Sequence, residues 1–151
     1  MKKFKTVFAA AALLFATSAF ATSGTGPEKV TPKVKAVFEK NFTQASDVNW
    51  EKKEDFYFAS FKLNATETSA AYNENGELLG TSRVIATSDL PLNVGLAISS
   101  KYEGYTIEKT ATELTYEGVT SYYITVENNK QILRVRCNGE GDVEVTHKTK
   151  K

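Results

Sequence analysis

The fold of this chain is decided by the stretch PKVKAVFEKNF, residues 32–42. Its apolar side chains recur with the spacing of one face of an α-helix, at Val34, Val37, Phe38 and Phe42. Thr31 suits the N-cap, and Pro32 suits the first turn because its missing N–H is not needed there. The pattern predicts an amphipathic helix that needs an apolar surface to pack against.

The same design returns further along the chain, at residues 91–104. Pro91 opens this segment, and Gly104 can end it in the left-handed conformation. The second apolar stripe matches the first at a constant offset of 60, with Val94, Ile98 and Tyr102 in the places of Val34, Phe38 and Phe42. The sequence therefore predicts a second helix of the same kind.

Each predicted helix is followed by segments rich in aromatic, β-branched and Thr residues, which favour strands. Four follow the first helix, at residues 46–53, 56–63, 66–73 and 78–87, and four follow the second, at residues 105–116, 121–126, 131–137 and 142–146. Short turns separate them, including Glu54-Asp55, Asn64-Ala65 and Asn128-Asn129. We expect an α+β protein in which one helix packs on a roughly four-stranded antiparallel sheet, twice.

The strand segments also match one another, at an offset of 65. Each set contains an Asn-x-x-Gly turn, at residues 73–76 and 138–141. The change of offset from 60 to 65 predicts about five extra residues in a loop between Glu113 and Thr120. These matches predict a tandem repeat, with repeat 1 at residues 30–87, repeat 2 at residues 88–147 and a solvated basic tail at residues 148–151.

The first 21 residues have the three parts of a secretory signal peptide. Lysines at positions 2, 3 and 5 precede an apolar run at residues 7–15, and Ala19-Phe20-Ala21 forms a small-residue cleavage site. The run is shorter than the roughly 20 residues needed to cross a bilayer, which disfavours a membrane anchor. We expect cleavage after Ala21, a periplasmic or secreted protein without a membrane anchor, and a flexible N-terminal segment at residues 22–29.

Charge and cysteine content exclude some classes of partner and some means of stabilising the fold. The full chain has a formal charge of +1, and loss of the three leader lysines leaves about −2. The basic residues are scattered along the chain, so the sequence predicts no nucleic-acid partner. Cys137 is the only cysteine, which excludes an intramolecular disulfide, and the exported domain must rely on its core.

Groups that could carry catalysis or hold a metal are sparse. His147 is the only histidine, and it directly precedes the predicted basic tail. Cys137 shares a strand face with Leu133 and Val135, so we expect a buried apolar residue rather than a nucleophile. Acidic residues such as Glu74 lie near predicted hairpin tips, where nothing would desolvate them. We expect neither enzyme activity nor a cofactor or metal.

Aromatic and arginine side chains form a surface whose composition is typical of interfaces. Strand alternation directs Tyr57 and Tyr122 inward, and their neighbours then face away from the core. The expected outer face carries Phe56, Phe58, Tyr123, Arg83, Arg134 and Arg136, with Trp50 as a further candidate that also suits the core or its rim. Two uses stay open, a surface that docks a partner and a seam on which the two repeats pack together.

The order of several short motifs resembles the PepSY-like, β-lactamase-inhibitor-like secreted proteins of Bacteroidetes. The motifs are the helix stripe, Val48-Asn49-Trp50, residues 57–61, residues 72–79, Leu90-Pro91 and residues 102–105. The similarity covers most of residues 30–146, and it rests on the order of motifs because each one is short. It implies a periplasmic α+β protein with tandem helix-on-sheet repeats, and it offers no catalytic residues to transfer.

These observations together lead us to expect a non-catalytic periplasmic binding module that recognises a protein or peptide partner. The resemblance implies one specific form, an inhibitor of a secreted hydrolase. The alternative is a module that binds a small molecule or glycan, or senses envelope stress, and it would need a cavity lined by inward residues. A partner site would need an exposed aromatic surface instead.

The leader predicts that the mature protein begins at Thr22. The intact mass of the protein recovered from the periplasm should equal that of residues 22–151, because signal peptidase cleaves after small residues such as Ala21. An Ala21→Asp variant should stay uncleaved. Recovery of native protein that keeps residues 1–21 in a membrane fraction would contradict export.

Overall fold

The computed structural model describes residues 30–151, so the predicted signal peptide and the segment at residues 22–29 lie outside the described residues. The described chain contains helices α1 (Pro32–Asn41) and α2 (Leu92–Lys101), a 3₁₀ turn (Thr87–Asp89) and eight strands. The strands are β1 (Ser46–Lys53), β2 (Phe56–Leu63), β3 (Thr66–Asn73), β4 (Leu78–Ala86), β5 (Thr106–Tyr116), β6 (Val119–Glu127), β7 (Gln131–Asn138) and β8 (Val143–Lys150). They form an eight-stranded antiparallel sheet in chain order, and the α+β class is confirmed.

The chain divides into two compact units, with the boundary between Ser82 and Arg83. In unit 1, the Thr31 hydroxyl accepts a hydrogen bond from the Val34 N–H at 3.3 Å, as expected for an N-cap. The buried face of α1 packs on β1 to β3 through Phe38, whose ring lies 5.0 Å from Phe61 and 5.1 Å from Trp50 in edge-on contacts. Such aromatic pairs add about 0.5–1.5 kcal/mol each beyond their buried area.

Unit 2 has a second core beneath α2. Val94 and Ile98 point from the helix into this core, as the apolar spacing predicts. They meet side chains from the inward faces of three strands, namely Ala111, Tyr122, Ile124, Val126, Leu133, Val135 and Cys137. The core of unit 2 thus combines mainly aliphatic side chains with Tyr102 and Tyr122, whereas the core of unit 1 contains an aromatic cluster around Phe38.

The two Asn-x-x-Gly turns have the same hydrogen bonds. The Asn73 carboxamide oxygen accepts from the N–H groups of residues 75 and 77 at 3.0 Å, and Asn138 accepts from those of residues 140 and 142 at 3.0 and 2.9 Å. Gly76 and Gly141 have φ values of +78° and +97°, which favour glycine. Each turn lies against the helix of its own unit, where a Cβ on Gly76 or Gly141 would come within 3.5 Å of α1 or α2 atoms.

Two sequence expectations differ from the structure. The predicted loop between Glu113 and Thr120 is a two-residue turn, and the extra residues lengthen β5 and β6 instead. Glu117 and Gly118 form this turn with positive φ, which matches the twist of the flanking strands. The predicted basic tail is also a strand, because β8 continues to Lys150 and pairs with β7. Backbone pairing explains β8, although its side chains are exposed beyond Val143.

Cys137 occupies the buried position that its strand pattern predicts. Its side chain is fully buried in the core of unit 2, and burial raises the pKa of its thiol above the usual value. The thiolate is the reactive species, so both effects slow modification near neutral pH.

We therefore expect slow labelling of native Cys137 by a thiol reagent and rapid labelling after denaturation. A Cys137→Ser, Ser46→Cys variant places the thiol on exposed β1 and should react at once. Cys137→Ser alone should lower the free energy of unfolding by about 1–3 kcal/mol, since a hydroxyl is costly to bury. Immediate full labelling of the native wild-type protein would contradict the placement.

Candidate functional site

The candidate site is the sheet face that points away from the helix in each unit. In unit 1 this face carries Phe56 and Phe58, which are half-buried. Phe58 pairs with Ala71 of β3, and Ser60 and Ser69 lie in contact beside this pair at 3.5 Å between hydroxyl oxygens. The two phenylalanines thus alternate with Tyr57 and Ala59, which belong to the core.

Trp50 lies on the opposite face from Phe58. Its indole ring contacts Phe38 and stands 6.2 Å from Tyr72, inside the aromatic cluster beneath α1. The register agrees, because Trp50 pairs with the core residue Ala59. Trp50 is therefore a half-buried residue of the core, and it does not share a face with Phe56 and Phe58.

In unit 2 the face away from α2 brings together Tyr123, Arg134 and Arg136. The Arg134 guanidinium lies 5.9 Å from the Tyr123 ring centroid, within the range of a cation–π contact. Arg136 pairs with Tyr123 across β6 and β7, bonds the Ser121 hydroxyl at 3.2 Å and reaches Glu144 at 3.1 Å. The expected grouping of these three residues is thus present in the structure.

Tyr123 is buried, whereas strand alternation predicts an exposed aromatic side chain at this position. Only 8% of its surface is exposed, although its side chain points away from α2. Burial raises the pKa of its phenol above the usual value, and Arg136 and Arg134 partly oppose this shift. The hydroxyl therefore stays protonated near neutral pH and can donate or accept a hydrogen bond.

The expected position of Arg83 on the outer face is wrong. Its Nε lies 2.7 Å from a carboxylate oxygen of Glu113, and Glu113 pairs with Tyr122 on the side that α2 covers. The hydrogen bond and charge of Glu113 raise the pKa of Arg83 further. Val84 has the apolar character of an inward residue, but Ile85 packs on the core of unit 2 while Val84 lines the outer face, which directs Arg83 to the side of the core.

A shallow depression of about 180 Å³ opens on the outer face of unit 2, beside Tyr123 and Arg134. Its remaining lining residues include three threonines and one acidic residue, and they are Val84, Glu108, Thr110, Ala111, Thr112 and Thr125. This group could not be predicted from strand alternation, because a bulge between Ile107 and Ala111 shifts the register of β5 against β6. The sequence does contain one indication of this polar group, the threonines at positions 110, 112 and 125. Strand alternation alone places the first two on one face of β5.

The chemistry of this face is that of hydrogen bonding and cation–π contact. Arginine side chains keep their charge at all ordinary pH values and bind carboxylates in a fork geometry. Among residues 30–151, no group of three His, Cys, Asp or Glu side chains is placed to hold a metal ion. Neither described helix combines the length and apolar character that crossing a membrane requires.

The fold is similar to those of a β-lactamase-inhibitor-protein-like (BLIP-like) protein and of DUF2874 family proteins from Bacteroides. A BLIP-like protein from Bacteroides fragilis is similar over 80% of this chain and 85% of its own, with 22% identity and a TM-score of 0.64. A DUF2874 family protein from Bacteroides uniformis is similar over 80% of this chain and 88% of its own, with 18% identity and a TM-score of 0.67.

A third similar structure is that of a protein inferred to be periplasmic, from Bacteroides eggerthii. The similarity covers 80% of this chain and 88% of the other, with 17% identity and a TM-score of 0.68. The chain matches no protein-family profile and no curated protein. The structural similarities confirm the BLIP-like resemblance at the level of the fold, since identities below a quarter carry no residue roles.

Substitutions of Tyr123 test whether its side chain is buried on the outer face of unit 2. Tyr123→Ala should lower the free energy of unfolding by about 2–4 kcal/mol, because a buried aromatic leaves a cavity when truncated. Tyr123→Phe keeps the ring and should cost less than about 1.5 kcal/mol. Chemical denaturation of both variants measures these values, and a neutral Tyr123→Ala would contradict the burial of this side chain.

Proposed function

We propose that this protein is a non-catalytic binding module that recognises a protein or peptide partner through the outer face of its sheet. The observation that carries the proposal is the grouping of Tyr123 with Arg134 and Arg136 on the side away from α2. Tyr and Arg are the residue types that most often anchor protein interfaces. The half-buried Phe56 and Phe58 of unit 1 are proposed as further anchors.

Binding suits this face better than catalysis does. The guanidinium groups of arginines are hydrogen-bond donors without acceptor capacity, and the raised pKa of Tyr123 keeps its hydroxyl neutral. The thiol of Cys137 is buried on the opposite side, in the core beneath α2. Arg134, Arg136 and Tyr123 are thus suited to hydrogen bonding and to aromatic or charge contacts with a partner rather than to nucleophilic attack.

The sheet edges are less suited to a partner than the faces. Edge strand β1 has a register shift between Ser46 and Asn49, and edge strand β8 has one opposite Arg134 and Val135. Such bulges, together with edge lysines such as Lys148 and Lys150, discourage the addition of a partner strand. A partner would therefore use side chains of the face rather than backbone groups of an edge.

The specific form that we favour is an inhibitor of a secreted hydrolase, acting in the periplasm after removal of residues 1–21. The sequence resemblance supports this form, as does the fold shared with a protein named BLIP-like. Inhibition would be measured directly by assaying secreted hydrolases of the producing organism with and without the purified protein.

We also propose that the two units are copies of one helix-and-sheet repeat. The constant offset of 60 between α1 and α2 supports this, and so do the matching bonds of the Asn73 and Asn138 turns. Residues 30–87 and 88–147 would then be repeats 1 and 2, with residues 148–151 as a basic extension of the last strand.

Capture of a partner from periplasmic extract tests the binding face. Arg134→Ala should weaken capture by tenfold or more, because truncation of an interface anchor costs about 2 kcal/mol. Arg83→Ala is the matched control, since it removes an exposed, ion-paired arginine from the opposite face. Both variants should keep their free energy of unfolding within about 1 kcal/mol of the wild-type value.

Phe58→Ala extends the test to unit 1 and should also weaken capture without early unfolding. Equal loss of capture in the Arg83→Ala and Arg134→Ala proteins would contradict the assignment of the face. Unfolding of Arg134→Ala or Phe58→Ala several degrees early would show that these residues serve packing instead.

The depression beside Arg134 favours a second candidate function, the binding of a small molecule or glycan. Its threonine hydroxyls and Glu108 could bond sugar hydroxyls, and Tyr123 offers an aromatic surface. Under this alternative, added glycans should raise the melting temperature of the wild-type protein and leave that of Thr112→Val unchanged.

A further inference from the structure

The turn between β7 and β8 contains an asparagine that is followed directly by a glycine, Asn138-Gly139. In such a pair the backbone nitrogen of the glycine can attack the side-chain carbon Cγ of the asparagine, because glycine has no Cβ to crowd the approach. Gly139 is exposed, and a Cβ added to it would meet no atom within 4 Å. The residue that supplies the attacking nitrogen is therefore accessible to water and to base.

The carboxamide of Asn138 is polarised by the backbone of its own turn. Its Oδ1 accepts hydrogen bonds from the N–H groups of Glu140 at 3.0 Å and Asp142 at 2.9 Å. Attack on Cγ moves negative charge onto this oxygen, and donors about 2.7–3.1 Å away stabilise such an oxyanion. The Nδ2 atom, which would leave as ammonia, donates to the Asp142 carboxylate at 3.0 Å. The turn thus holds in place the groups that stabilise the developing charge.

A second asparagine–glycine pair, Asn75-Gly76, differs at the attacking nitrogen. The side chain of Asn75 is exposed, but Gly76 is buried and its N–H donates to the carbonyl oxygen of Asn73 at 3.0 Å. The nitrogen must lose its proton before it attacks, and a buried, hydrogen-bonded N–H exchanges its proton slowly. We therefore expect the fold to protect Asn75.

Asn73 has the opposite combination of features. Its Oδ1 accepts the same two backbone hydrogen bonds as that of Asn138, both at 3.0 Å, but the next residue is Glu74. The Cβ and side chain of Glu74 crowd the approach that a glycine leaves open. Of the three asparagines in these two turns, Asn138 alone joins a polarised carboxamide to an accessible glycine.

We propose that Asn138 is a site of spontaneous deamidation in the folded protein. The Gly139 nitrogen forms a bond to Cγ, the Cγ–Nδ2 bond breaks, and ammonia leaves with the proton that the Gly139 nitrogen has lost. Water then adds to the cyclic imide and opens it to aspartate or isoaspartate at position 138. The reaction needs no oxidant, reductant or cofactor, and it is independent of the proposed binding face.

Conversion of Asn138 would weaken the contact between this turn and α2. A Cβ added to Gly141 would lie 3.4 Å from the Asn93 carbonyl oxygen and 3.5 Å from the Ala97 Cβ, so the turn lies directly against the helix. An aspartate at position 138 would place a second carboxylate beside Asp142, where the amide now donates. An isoaspartate would also add a methylene to the backbone of the turn. Unit 2 should therefore become less stable as the protein ages.

Peptide mapping by mass spectrometry, after incubation of the folded protein in mildly alkaline buffer, tests the proposal. The peptide with Asn138 should gain the mass of an amide-to-acid conversion, ahead of those with Asn73 and Asn75. Gly139→Ala should slow this conversion by about tenfold, since the added Cβ hinders the approach of the nitrogen. Its melting temperature should equal that of the wild-type protein, because the Cβ meets no neighbouring atom.

Glu74→Gly is the reciprocal variant, because it places a glycine after the equivalent asparagine. It should make Asn73 convert, and loss of the exposed Glu74–Lys52 ion pair should change stability little. The proposal would be overturned if Asn75 converted before Asn138 in the folded protein, or if Asn138 converted only after denaturation. Glu74→Gly protein without conversion at Asn73 would likewise contradict the role given to the turn.

Discussion

Each unit depends on the packing of a single helix stripe on a single sheet face. Phe38 of α1 and Ile98 of α2 each lie in the core of their own unit, buried among inward strand residues. A ten-residue helix can cover only one side of a sheet. The strand residues that alternate away from it therefore lie on a side that this helix does not cover. The candidate site follows from this asymmetry.

The aromatic and arginine side chains on the outer face of unit 2 are held by contacts within the unit. Tyr123 is held by burial and by the cation–π contact with Arg134, while Arg136 is fixed by Ser121 and Glu144. Side chains that are already ordered lose less entropy when a partner binds, which favours affinity. Leu92 and Leu96, which are exposed on α2, form a separate apolar region on the other side of the same unit. Unit 2 therefore presents two chemically distinct surfaces.

Much of the fold could be predicted from the sequence where local signals agree. The bounds of β1 and β2 are as expected because hairpin turns at Glu54-Asp55 and Asn64-Ala65 end them sharply. The last strand was predicted to end at residue 146 because the polar residues after it carry no strand signal, whereas pairing with β7 continues β8 to Lys150. The face of Arg83 was wrong because exposed Val84 resembles a core residue in sequence.

The candidate site was predicted in part, for a related reason. Tyr123, Arg134 and Arg136 could be grouped because strand alternation and the turn positions define their register. The lining at Glu108 and Thr110 could not, since it depends on a bulge in β5 that no local pattern announces. Burial of Tyr123 could not be predicted either, because it depends on tertiary packing rather than on the strand pattern.

Hydroxyl-radical footprinting of the protein, free and in periplasmic extract, shows whether a partner covers the outer sheet face. Phe58 and Arg134 lie on the faces away from the helices, whereas Trp50 is a reactive, half-buried reference beneath α1. If the outer face binds a partner, the extract should lower oxidation at Phe58 and Arg134 and leave that of Trp50 unchanged. Protection of Trp50 with unchanged oxidation at Phe58 and Arg134 would contradict it.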